Sequence, residues 1–138
     1  MSPVDRGAML SGVIVTHSSL ARGLRDAAAA VAGDAAHLEV VSNEGLSLEQ
    51  LVQAVRDAVG RAGGEGCILF ADLTGGTCAV SCLEALRGLR GARLLTGVNL
   101  AMLADFVARR DDPEITLDAM VERLLTRGHA AIQELKGI

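Results

Sequence analysis

Four short apolar runs recur along the chain, each followed by a longer amphipathic stretch, and this alternation restricts the fold more than any other feature. The runs occupy residues 12–16, 38–41, 66–71 and 93–96, and the first contains the β-branched trio Val13-Ile14-Val15. Their length and branching predict strands. The intervening stretches, residues 19–32, 48–62, 77–89, 100–110 and 117–136, carry apolar residues at helical spacing. Gly33 and the Gly63-Gly64 pair supply stops for the first two, and Ser47 followed by Gln50 has the capping-box pattern that starts a helix. The resulting order, β-α-β-α-β-α-β-α-α, predicts an α/β fold: a single-domain, open, mainly parallel four-stranded sheet with helices on both faces, joined by right-handed crossovers. Residues 1–10 read as an N-terminal extension, and residues 11–138, free of repeats or linker-like tracts, as one domain.

In open parallel sheets, ligands collect at the carboxyl ends of the strands, where loops lead into helix N-termini. Three such loops carry reactive groups here. The first strand runs into Thr16-His17-Ser18-Ser19, the third into Asp72-Leu73-Thr74-Gly75-Gly76-Thr77, and the fourth into Gly97-Val98-Asn99. A neutral imidazole carries a nucleophilic lone pair and ordinarily titrates near about 6.5, so His17 can attack phosphorus. A carboxylate bonded to one ring nitrogen fixes the tautomer that leaves the other nitrogen reactive, and Asp72 is the candidate for that role. Phosphoryl transfer otherwise demands electrostatic cover for the phosphate oxygens. Backbone N–H groups beside Gly75 and Gly76, with hydroxyls from Ser18, Ser19 and a helix-capping Thr77 and the amide of Asn99, are candidates to supply it. Read singly, each residue has a plainer use: a surface histidine, a turn aspartate, a glycine loop, ordinary helix caps. Their convergence on one predicted sheet edge is what points to a site.

Composition removes several other functions. The chain has a net charge of −4, no Trp, no Tyr and two Phe, so it lacks both the positive charge and the stacking platforms that nucleic acid requires. Its longest apolar runs are too short to span a bilayer. The opening MSPVDRGA has no basic segment leading into an apolar core, and a cytoplasmic location is expected. Cys67, Cys78 and Cys82 form no CxxC pair. Cys78 and Cys82 share a helix face, yet no histidine close in sequence completes a familiar metal spacing, so all three read as buried free thiols and neither a metal nor a cofactor is expected. His37, before the second strand, and His129, near the end of the last helix, read as structural or surface residues.

Three segments in register, VIVTHSSLARGL, LFADLTGGTCAVSCL and TGVNLAMLADFV, resemble the enzyme IIA component of the mannose-type (mannose/fructose/sorbose) phosphoenolpyruvate-dependent sugar phosphotransferase system, and the likeness continues through ARRDDP into the last helix. The resemblance implies an α/β domain that forms a homodimer, accepts a phosphoryl group from phospho-HPr and passes it to a IIB component, with the membrane met only through IIC and IID components. No IIB segment is fused within the 138 residues, so IIB is expected as a separate polypeptide. The resemblance makes His17 the phosphoacceptor and Asp72 its partner. It makes Gly75, Gly76 and Thr77 the glycine turn, and Asn99 part of a Gly-Val-Asn motif. Ser18, Leu73, Cys78 and Ala101 depart from the family's usual Gly, Thr, Pro and Pro.

Two alternatives stand beside this reading: a regulatory phosphotransferase protein whose His17 phosphorylation controls partner binding, which would show the same His and Asp, and the phosphoryl-donor subunit of a dihydroxyacetone kinase, built on the same plan, against which the Gly-Gly-Thr after Asp72 and the Gly-Val-Asn motif favour the mannose type. A nucleotide-binding domain is disfavoured by the absence of GxGxxG or GxxxxGK[ST] after the first strand. An aspartyl-phosphate receiver built on Asp72 is disfavoured by the lack of an acidic cluster at the end of that strand.

Overall fold

The computed structural model describes residues 9–63 and 66–137. Within them lie β1 (Ser11–Thr16), α1 (Leu20–Ala32), β2 (Leu38–Ser42), α2 (Leu48–Ala62), β3 (Cys67–Ala71), α3 (Thr77–Leu86), β4 (Ala92–Leu95), α4 (Leu100–Arg109) and α5 (Leu117–Ala130). The four strands form one open sheet in the order β2-β1-β3-β4, and every pairing is parallel. The α/β architecture expected from the alternation is therefore the one observed.

Every residue of β1 and β3 is buried, as a parallel sheet covered on both faces requires. Alternate side chains divide between two cores. Ile14, Ile68 and Phe70 face Ala28 of α1, Phe106 of α4 and Leu124 of α5. Val13, Val15 and Leu69 face Leu51 and Val55 of α2 and Cys78 and Cys82 of α3. The near absence of aromatic residues is met by one edge-to-face pair, Phe70 against Phe106 at 5.3 Å between centroids, with aliphatic side chains filling the remainder. Gly12 sits under this pair. A Cβ there would come within 2.7 Å of Leu38 and 3.1 Å of each ring, so the first strand tolerates no side chain at that point.

The capping box at Ser47 and Gln50 forms reciprocally, and Gly63 ends α2 in the left-handed region at φ 108°. Gly64, read with it as a stop, lies outside the described residues, as do residues 1–8 of the N-terminal extension. Leu10, at the end of that extension, is fully buried, and its backbone N–H and carbonyl both bond to Arg110.

Helices α1 and α4 are each one residue shorter than their apolar spacing implied, and two others are shorter by three or more. Helix α3 stops at Leu86 rather than residue 89, because Arg87 leaves the helix at ψ 127° and Gly88 turns the chain with φ 76°. Helix α5 stops at Ala130 rather than residue 136. Beyond it Ile132 and Leu135 are 80% and 84% exposed, so the continued periodicity has no surface to bury against and nothing offsets the entropy of further helical order. Smaller shifts occur at strand ends, where β1 begins at Ser11, β2 runs to Ser42, β3 begins at Cys67 and β4 covers 92–95. All three cysteines are buried and free. Among the described residues no helix is long and apolar enough to cross a membrane.

Candidate active site

Strands β1 and β3 are neighbours with Val15 opposite Ala71, so the residues that leave their carboxyl ends emerge side by side. His17 and Asp72 meet there although 55 positions separate them. Asp72 Oδ2 accepts the backbone N–H of His17 at 3.0 Å and lies 2.9 Å from His17 Nδ1. Asp72 Oδ1 accepts the N–H of Leu73 at 3.0 Å. An ionised carboxylate can only accept, so Nδ1 donates and the lone pair of the neutral ring resides on Nε2. Burial works to raise the pKa of Asp72, but the backbone and ring hydrogen bonds from His17, the charge of that ring and the Leu73 N–H together outweigh it and leave the carboxyl below its ordinary value. The imidazole is 41% exposed and the carboxylate 11%: a part-buried anion orients a more accessible ring.

The turn after β1 is strained. Ser18 has φ 54°, the one positive φ outside glycine among the described residues. Such a conformation costs on the order of 1–2 kcal/mol. Asn43, at the end of β2, stabilises it by accepting the Ser18 N–H on Oδ1 at 3.0 Å while its own N–H binds Thr16 O at 3.2 Å. The sequence reading missed Asn43; a polar residue following a strand at the carboxyl edge was the available signal.

Helices α2, α4 and α5 each have a side-chain N-cap, from Ser47, Asn99 and Thr116 respectively. Helices α1 and α3, the two that start beside His17, have none. Their first N–H groups are not taken by a capping side chain, and the positive end of each helix dipole is presented at the same edge. Ser19 is the N-cap residue of α1 without a side-chain cap bond. At α3 the N-cap is Gly76, at φ 90° and ψ −177°, so Thr77 is the first helical residue and not the cap it was read to be. That conformation is essentially glycine's alone, and a Cβ at Gly76 would sit 4.0 Å from His17 Cε1. Gly75 and Thr77 are exposed in the same turn.

Asn99 is engaged elsewhere. Its Oδ1 accepts Met102 N–H at 2.9 Å, and its Nδ2 donates to Gly128 O at 3.1 Å, tying the start of α4 to α5. Gly128 permits that close approach, since a Cβ there would fall 2.9 Å from Met102 Cε. Neither of the other histidines joins the His17–Asp72 pair, although His129 lines a cavity with Thr74, Gly97 and Asn99 of the neighbouring loops. His37 packs against Phe106 at 6.0 Å, and His129 is exposed in the last turn of α5.

Cys78 is the neighbour that sequence spacing could not reveal. It lies 61 positions from His17, yet its Sγ is 3.7 Å from His17 Nδ1. Burial, reinforced by the charge of Asp72, pushes its pKa up to about 11, so the resting group is a thiol.

A family model described as PTS system fructose IIA component matches residues 11–125. Among solved structures, the mannose/sorbose-specific IIA subunit of the phosphotransferase system from Enterococcus faecalis superposes with a TM-score of 0.83 at 20% identity, covering 94% of this chain and 97% of that one. The phosphotransferase system component EIIA from Streptococcus agalactiae gives a TM-score of 0.74 at 26% identity over 91% and 97% of the two chains. The PTS IIA protein associated with the fucose utilization operon from Streptococcus pneumoniae gives 0.79 at 17% identity over 91% and 93%. No curated protein matches in sequence. With the family's model covering the sheet, its helices and the His17 edge in one continuous match, the chain belongs to the mannose-type enzyme IIA family of the sugar phosphotransferase system.

Proposed function

We propose that this IIA component is a phosphocarrier that accepts a phosphoryl group from phospho-HPr on Nε2 of His17 and delivers it to a separate IIB component for sugar uptake. The observation that carries the reading is the contact of an accessible imidazole with a part-buried carboxylate through Nδ1. Nε2 attacks phosphorus in line as the bond to the donor histidine breaks, and no proton has to leave the attacking nitrogen. Positive charge grows on the ring, and Asp72 stabilises it across the Nδ1–H bond. The uncapped N-termini of α1 and α3, the glycine turn of Gly75 and Gly76, and the hydroxyls of Ser18, Ser19 and Thr77 form the phosphate cradle in this reading. Asn99, committed to α4 and α5, is left out of it.

Donor and acceptor proteins must reach the same edge in turn. Leu20 and Leu73, 46% and 57% exposed beside His17, supply apolar surface for such transient contacts. The working unit is taken as residues 11–138, acting in the cytoplasm as a homodimer and meeting the membrane only through IIC and IID. The regulatory reading uses the same histidine and differs in the fate of the phosphoryl group.

Intact mass after incubation with phosphoenolpyruvate, enzyme I and HPr tests the proposal. One acid-labile phosphoryl addition, absent in His17→Ala, is expected, and its discharge on adding a cognate IIB separates carrier from regulator. Phosphorylation persisting in His17→Ala overturns the assignment.

A further inference from the structure

We propose that His17, Asp72 and Cys78 form a binding site for a thiophilic divalent cation of the zinc class, and that its occupancy switches off phosphoryl acceptance. Among the described residues, these three bring an imidazole nitrogen, a carboxylate oxygen and a thiol sulfur within 4.8 Å of one another. Zinc bonds of about 2.0–2.1 Å to nitrogen and oxygen and about 2.3 Å to sulfur place tetrahedral ligands about 3.3 Å (N to O) and 3.6 Å (N to S) apart. The corresponding separations are 2.9 Å from Nδ1 to Oδ2 and 3.7 Å from Nδ1 to Sγ. The carboxylate oxygen and the sulfur lie within 4.8 Å and close toward about 3.6 Å around such an ion, so the Asp72 and Cys78 side chains adjust together with the ring, and three protein ligands leave a fourth position for water. The donor set favours zinc over magnesium or calcium, which take oxygen ligands.

Sequence spacing argued against a metal because no histidine lies near the cysteines along the chain. Folding supplies one. The arrangement depends on this chain's own Cys78, which stands where the family commonly has proline. Cys67 and Cys82 are buried thiols as well, but neither joins a group of three ligand atoms among the described residues.

Occupancy has a defined chemical consequence. Binding forms bonds from the metal to Nδ1, Oδ2 and Sγ. The thiol proton is released to solvent, while the proton on Nδ1 leaves and Nε2 takes one up, so the ring remains a neutral imidazole with its tautomer reversed. Nε2 then carries hydrogen in place of its lone pair and cannot attack phosphorus. Oxidation state does not change. This consequence rests on the reading of His17 as phosphoacceptor; binding of the ion does not.

Cobalt(II), a spectroscopic substitute for zinc, tests the binding in the full-length chain. One equivalent is expected to produce a thiolate-to-cobalt charge-transfer band and tetrahedral d–d bands, lost in Cys78→Ser and retained in Cys82→Ser. A band surviving in Cys78→Ser, or no band in the unmodified chain, overturns the site. Ring NMR of the unmodified protein decides independently of any variant: zinc should move the His17 proton from Nδ1 to Nε2, and an unchanged ring overturns the proposal. With preformed phospho-HPr as donor, saturating zinc is expected to slow acceptance at least tenfold, reversed by a chelator. Binding with undiminished acceptance overturns the switch. Failure of the metal-free protein to accept at all counts instead against the phosphocarrier reading, and leaves the cobalt and NMR results to decide the site.

Discussion

One oxygen of Asp72 holds two atoms of His17: Oδ2 accepts the backbone N–H at 3.0 Å and stands 2.9 Å from Nδ1. The backbone bond places the residue and the ring bond selects its tautomer, so a single carboxylate sets both the position and the tautomer of the imidazole. The same ring nitrogen faces Cys78 Sγ, which makes the tautomer the quantity that other ligands can contest.

Asp72→Asn retains an acceptor for the backbone N–H but can equally donate to Nδ1, which selects the wrong tautomer. Phosphoryl acceptance from phospho-HPr is expected to fall by at least about tenfold, and by as much as ~10⁴-fold where the wrong tautomer dominates. His17 should remain the acceptor. Rapid-quench transfer kinetics check this, and an unchanged rate removes Asp72 from the mechanism.

Gly76→Ala forces a side chain into φ 90°, at the residue that caps α3 beside His17. A loss of about 1–3 kcal/mol in unfolding free energy is expected, together with slower acceptance as the start of α3 shifts. Gly75→Ala is the contrast, because a Cβ there meets nothing within 4 Å and no positive φ is required. Urea titrations of the two variants should differ; equal stability would mean that the Gly76 conformation is not maintained in solution.

Gly12→Ala tests the core. The new methyl would lie 2.7 Å from Leu38 Cδ2 and 3.1 Å from both Phe70 and Phe106, so overpacking is expected to cost about 1–3 kcal/mol. The signature is a lower urea midpoint at unchanged slope, with phosphoryl acceptance preserved below the transition. Retention of full stability would contradict the packing of Leu38 over β1.

His37 is expected to make the fold acid-sensitive. Burial, aided by the Arg110 charge and opposed by Asp34 and Asp111, lowers its pKa to about 4, and its Nε2 is buried without a partner among the described residues. The folded state keeps the ring neutral while the unfolded chain protonates near the ordinary value of about 6.5. Protons therefore favour unfolding as pH falls. The contribution of His37 is fully present above about 6.5, is lost between there and about 4, and amounts to roughly 1–3 kcal/mol for a partly exposed group. His37→Phe, which keeps a ring against Phe106, should flatten that part of the profile and stabilise the protein at pH 5. Stability measured from pH 7.5 to 4 checks both; an identical slope in the variant assigns the dependence elsewhere.

Local pattern determined the elements themselves. Four short apolar runs between amphipathic stretches bury their surfaces as a covered parallel sheet, and that physics alone places His17 and Asp72 at strand ends. It could not say where α5 stops, since periodicity persists to residue 136 but helical order requires a surface to pack on. It could not expose Asn43 as the support for the Ser18 turn, or Asn99 as the tie between α4 and α5. Nor could it place Cys78 against His17. Those facts depend on strand order: β1 beside β3 brings together side chains 55 and 61 positions apart, and no spacing along the chain encodes such a distance. The sequence determined the candidate residue types and the edge on which they stand. The tertiary structure decided their contacts, and through them which nitrogen of His17 keeps its lone pair.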